Sequence, residues 1–136
     1  MVSLGAQILG DLYGCDRQTL DDVAAIEAVL MEAALRCGAT IVSRCFHRFV
    51  PQGVSGVVVI AESHLAIHTW PEHGYAAVDL FTCGKTLRPD DCFRYLQEAL
   101  RSDSHRIRTV ERGIPSSPPN SSDSLPFPSV QGESKT

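Results

Sequence analysis

ESHLAIHTWPEHGYAAVDLFTCG, residues 62–84, is the stretch on which the fold turns. Apolar and polar residues alternate through HLAIHTW (64–70) and again through YAAVDLFTC (75–83), a period of two that predicts two strands. Between them PEHG has turn chemistry: a proline that sets φ and a glycine that admits left-handed backbone. An antiparallel pair follows. The same stretch carries a serine, three histidines, a tryptophan and a cysteine, so reactive side chains are threaded through a predicted core.

Working outward, VSGVVVIAE (54–62) is nearly all apolar and predicts a central strand, and TIVSRCFHRFV (40–50) predicts another. VSLGAQIL (2–9) reads as a first strand. Thr19 followed by Asp22 resembles a capping box at a helix start. Beyond it Val23, Ile26, Leu30, Ala33 and Cys37 recur at three- and four-residue steps, and Gly38 closes the helix. Pro89 with Asp90 and Asp91 opens a second helix, whose stripe is Phe93, Leu96 and Leu100. RIRTVER (106–112) predicts a last, edge strand.

The order β-α-β-β-β-β-α-β, with tight turns in the middle, implies an α+β two-layer sandwich: an antiparallel sheet with two helices on one face. The bare face needs a partner. A second copy of the same sheet is the simplest one, giving a homodimer layered αββα. Residues 1–112 form the domain in this reading. From Gly113 onward the composition changes, with five of the eight prolines and seven serines. Residues 113–136 cannot bury enough apolar surface to offset their ordering entropy and read as a disordered tail.

Composition narrows the partners. At 136 residues the chain has room for one core. A net charge of −4 without a Lys/Arg cluster argues against nucleic acid or an anionic membrane surface. Only Lys85 and Lys135 are lysines, which disfavours lysine Schiff-base chemistry. The N-terminus lacks a basic region of the signal-peptide kind, and no apolar run nears the roughly 18 residues of a membrane span. The five cysteines (15, 37, 45, 83, 92) are an odd number without a CxxC pair, which suits reduced thiols in the cytoplasm.

Several chemistries compete for the central stretch. His64 and His68 with His73 and Cys83 suggest zinc by residue type. On a strand at about 3.3 Å per residue, however, the first two rings lie roughly 13 Å apart and cannot share an ion. No metal is therefore expected. A Ser/His or Cys/His nucleophile lacks both a GxSxG elbow and an acidic partner at a telling distance. Taken singly, Ser63 is also a turn residue, His68 a strand histidine and Cys83 a small buried hydrophobe.

As a pattern they say more. GVSGVVVIAESHLAIHTWPEHGYAAVDLFTCG (53–84) closely resembles the prokaryotic S-adenosylmethionine decarboxylases, pyruvoyl-dependent enzymes of spermidine synthesis. The resemblance extends through SLGAQILGDLYGCD (3–16) and GATIVSRCFHRFVPQGVSG (38–56) and fades after ERG (111–113). It implies that the chain makes its own cofactor. The hydroxyl of Ser63 attacks the carbonyl of Glu62, and His68 helps remove the α-hydrogen of Ser63. The chain then splits into residues 1–62 and a second piece capped by a pyruvoyl group generated from Ser63. Ser55, within the matching GVSG, is a hydrogen-bonding helper by the same resemblance.

The resemblance also implies how the product acts on S-adenosylmethionine. The ketone takes up the substrate amine and draws electrons from the bond to the carboxylate. Cys83 returns a proton, a role that suits a thiol whose ordinary pKa of about 8.5 keeps it protonated at neutral pH. Phe49 and Trp70 match positions that sandwich the adenine, Leu65 shares that pocket, and Glu72 grips the ribose hydroxyls. Aromatic faces also attract a sulfonium cation. Two alternatives stay open: the same chemistry on arginine or ornithine, and an unprocessed regulatory subunit.

Overall fold

A computed structural model describes residues 3–114, so nearly all of the segment read as a disordered tail lies outside the described residues. One six-stranded sheet is formed by β1 (Gly5–Tyr13), β2 (Ile41–Arg48), β3 (Val54–Ile60), β4 (Ser63–Trp70), β5 (Tyr75–Thr82) and β6 (Ser104–Arg112). The strand order is β2-β3-β4-β5-β1-β6, and every neighbouring pair is antiparallel. Three helices accompany it: α1 (Arg17–Leu20), α2 (Val23–Arg36) and α3 (Pro89–Ala99). The two long ones pack on each other and on the sheet, α2 over β2, β3 and β4, and α3 over β1. The expected α+β two-layer sandwich is what the chain forms.

Pleating sorts each strand. On the helix side Val54, Val58 and Ile60 of β3, Leu65 and Ile67 of β4, and Ala76, Val78 and Leu80 of β5 are buried. They meet Ile26, Leu30, Ala33 and Ala34 from α2 with its C-cap Cys37, and Phe93 and Leu96 from α3 with its C-cap Leu100. The predicted helical stripes are thus the buried ones. Phe93 sits over Gly10 and Phe46 over Gly56, so close that a β-carbon at either glycine would collide with the ring. These glycines let large side chains lie flat on the pleat.

Boundaries differ from the sequence reading in places. β1 runs to Tyr13 rather than ending at residue 9, because its far half pairs with both β5 and β6, as far as Tyr13 opposite Ser104. The capping box at Thr19 is replaced by two aspartate caps. Asp16 accepts from the Thr19 N–H to start α1, and Asp22 accepts from the Ala25 N–H to start α2. β3 is second from the edge rather than central, with β2 outermost. PEHG forms a single 3-10 turn, closed by Gly74 at φ 60°.

One buried polar contact ties the helices to the sheet. Thr69 on β4 is fully buried; its hydroxyl donates to the Leu20 carbonyl (2.7 Å) and accepts from the Val54 N–H (2.9 Å). Thr69→Val keeps the shape but leaves a buried donor and acceptor without that partner. It should cost about 2 kcal/mol, read as a lower urea midpoint with an unchanged slope.

Candidate active site

Ser63 opens β4 at the tight hairpin after β3. Ile60 pairs with Ser63 across the strands, leaving Ala61 and Glu62 as the two turn residues. Glu62 lies at φ 63°, left-handed backbone that a turn ordinarily gives to glycine. The turn is anchored, since the Ala61 N–H donates to the Thr40 carbonyl at 2.9 Å. Left-handed backbone alone is not diagnostic: Arg101, just past α3, also has it, at φ 55°. What distinguishes Glu62 is that the residue after it is a serine whose hydroxyl makes no hydrogen bond among the described residues. A strained residue before a free nucleophile fits self-made pyruvoyl chemistry.

A small cavity of about 130 Å³ adjoins this turn, lined among others by Thr40, Glu62, Ser63, Thr82 and Gly84. Ser63 pairs with Thr82 of β5, so the cysteine at 83 directly follows the serine's cross-strand neighbour. Cys83 is exposed. Glu62, Ser63 and Cys83 are thereby gathered at one end of the sheet.

The other expected residues lie elsewhere. His68 is five residues along β4 from Ser63, roughly 16 Å at strand rise. Its register also puts it on the bare face, whereas Ser63 shares the helix side with Ile60. His68 and Ser55 are cross-strand partners, with the Ser55 hydroxyl 2.8 Å from His68 Nδ1. Trp70 adjoins them, its ring centroid 6.5 Å from that of His68 and 5.3 Å from that of Tyr75. Phe49, half-buried, packs edge-on to His47 at 4.7 Å just beyond β2. Glu72 is exposed on the 3-10 turn, on the rim of an open groove with Arg17 and Gln52.

Leu65 requires correction. It was expected in the adenine pocket but is completely buried on the helix side, inside the core. Alternation along β4 turns it away from the face that carries His68 and Trp70, leaving it no surface for a ligand.

Two features escaped the sequence reading. Tyr75 stacks on Tyr13 at 5.4 Å and donates to Asp11 Oδ1 (2.6 Å), extending the aromatic row from Trp70. Burial, with that hydrogen bond, pushes the Tyr75 phenol up, so it stays protonated. Thr82, buried opposite Ser63, is the second. Both become visible only through strand register. His64, far from His68 along the strand, stacks instead on Phe81 (5.8 Å), and no cluster of three metal-ligating side chains occurs among the described residues.

Comparison with known proteins gives a consistent answer. The sequence profile of the family described as S-adenosylmethionine decarboxylase matches residues 6–113. The S-adenosylmethionine decarboxylase proenzyme of Moorella thermoacetica is 53% identical over 114 residues, covering 84% of this chain and 91% of its own. The proenzyme of that name from Thermotoga maritima is 54% identical over 113 residues, 83% of this chain and 87% of its own. Among solved structures, the adenosylmethionine decarboxylase of Aquifex aeolicus superposes with a TM-score of 0.78 at 37% identity, over 88% of this chain and 99% of that one. A Trypanosoma brucei relative, at 16% identity and TM-score 0.57, shares the fold. The chain belongs to the S-adenosylmethionine decarboxylase family.

Proposed function

We propose that this chain is the proenzyme of an S-adenosylmethionine decarboxylase that cuts itself between Glu62 and Ser63 and works as a homodimer. The observation that carries the reading is the turn: left-handed Glu62 directly before Ser63, with Cys83 following the serine's cross-strand partner. In processing, the Ser63 oxygen bonds to the Glu62 carbonyl carbon while the Glu62–Ser63 C–N bond breaks, giving an ester. Removal of the Ser63 α-hydrogen then expels the Glu62 carboxylate and separates residues 1–62 from the rest. Loss of ammonia after addition of water leaves the pyruvoyl group, whose carbonyl supplies the electron withdrawal that decarboxylation needs.

The protein's own residues do the remainder. Cys83, next after the serine's cross-strand partner, is the residue assigned to deliver a proton to the carbon that has lost carbon dioxide. Phe49 and Trp70 offer flat faces to an adenine and to a sulfonium, and Glu72 offers a carboxylate to ribose hydroxyls. Enzymes of this activity feed aminopropyl transfer in polyamine synthesis, and the present substrate reading places the chain there.

The separation of Ser63 from His68 shapes the proposal. Within one protomer His68 cannot reach the Ser63 α-hydrogen. A second copy, laid sheet against sheet with its strands reversed, brings its His68, Ser55, Trp70 and Phe49 to the end that carries Ser63 and Cys83. The bare face is suited to such packing, since Val57, Ala66, Ala77 and Phe81 lie there only half-covered and Val59 is 40% exposed.

Three outcomes test this. Ser63→Ala should fold and stay one chain by intact mass, releasing no carbon dioxide from S-adenosylmethionine; an active variant, or a wild-type chain that prefers arginine or ornithine, would overturn the reading. Glu62→Gly relieves about 1 kcal/mol of left-handed strain and should slow cleavage about fivefold on a denaturing gel. Ser63→Ala and His68→Ala chains, each uncleaved alone, should regain cleavage of the His68→Ala chain when co-expressed. Failure of that rescue would overturn the role of a partner's His68 in cleavage.

A further inference from the structure

β5 belongs to the sheet up to Thr82, which pairs with Ser63 on one side and Ala6 on the other. Cys83 is the first residue beyond the ladder, and among the described residues its thiol makes no hydrogen bond. Its placement therefore cannot come from sheet pairing. It comes from a bracket around it. The Gly84 N–H donates to Thr82 Oγ1, and the Thr82 hydroxyl is 3.2 Å from the Gly84 carbonyl oxygen, both contacts spanning Cys83. Thr82 itself is 7% exposed, so its hydroxyl competes little with water for these bonds. Beyond Gly84 the loop returns to the helix layer, where the Arg88 N–H donates to the Cys37 carbonyl (2.9 Å).

We infer that Thr82 is the positioning residue for Cys83, resting on the assignment of Cys83 as proton donor. Its hydroxyl pins the turn and so fixes where the chain carries Cys83 at the end of the sheet that holds Ser63. A purely structural threonine would fill the strand end equally well as valine; a positioning threonine requires the oxygen. The methyl group is dispensable and the hydroxyl is not.

The test uses Thr82→Val and Thr82→Ser, each in the full chain and in the uncleaved Ser63→Ala chain. In the uncleaved chain, Thr82→Val should speed Gly84 amide hydrogen exchange about tenfold while Thr82→Ser preserves its protection. In the processed enzyme, with turnover counted per cleaved chain, Thr82→Val should lower kcat about tenfold with KM for S-adenosylmethionine held within about twofold, and Thr82→Ser should restore kcat. Added to Cys83→Ala, Thr82→Val should cost nothing further. The inference is overturned if Thr82→Val keeps its kcat, loses KM instead, or folds but stays uncleaved. Should valine prevent folding, Thr82→Ala is held to the same expectations. Full turnover by Cys83→Ala alone would mark failure of the donor assignment; its collapse beside an intact Thr82→Val would sink the positioning role alone.

Discussion

Alternation along β4 is the constraint from which the rest follows. A strand can send successive side chains only to opposite faces, and β4 spends one face on the core. Leu65, Ile67 and Thr69 are fully buried beneath the helices. The other face, with His64, Ala66, His68 and Trp70, is left for other uses. This is how so many reactive side chains can lie within a segment that is also structural. His68 has a buried residue on either side of it, Ile67 and Thr69, and packing of the buried set fixes the rotation of the exposed set. A slip of one residue in register would bury His68 and expose Ile67, so hydrophobic burial also enforces the chemistry.

The same geometry divides the chemical groups. Left-handed backbone and the Ser63 hydroxyl, which makes no hydrogen bond among the described residues, collect at the β3–β4 turn, while the Ser55–His68 pair and the aromatic row lie toward the far end and on the bare side. Neither cluster is complete alone. Burying the half-covered side chains of the bare face would be favourable at about 25 cal/mol per Å², so in the proposed dimer one surface would serve both assembly and the site.

Much of this was legible from residue order. The period-two segments, both helical stripes and the antiparallel layout follow from hydrophobic burial, which acts on every residue of an element and so leaves a redundant signal. Individual roles were less legible. Whether Asp16, Thr19 or Asp22 caps a helix depends on where one short turn ends and the next begins. Leu65 was assigned to a ligand pocket through resemblance, yet its place in the alternation beside Ile67 already marked it as core. Thr82 gave no signal, because its meaning comes from lying opposite Ser63, a relation between residues 19 positions apart that only the hairpin register creates. The separation of Ser63 from His68 could have been read from strand rise, as it was for His64 and His68.

Strand order carries a last consequence. A cut after Glu62 divides the sheet into β1, β2 and β3 on one piece and β4, β5 and β6 on the other, but these do not sit in two blocks. β1, from the first piece, is wedged between β5 and β6 of the second, while β3 borders β4. The two polypeptides are interleaved like fingers. Neither can slide free without opening three ladders at once, so severing the backbone need not loosen the molecule. On the proposed cleavage, a cut made after the sheet has closed would spare the two pieces from having to find this threaded arrangement by collision.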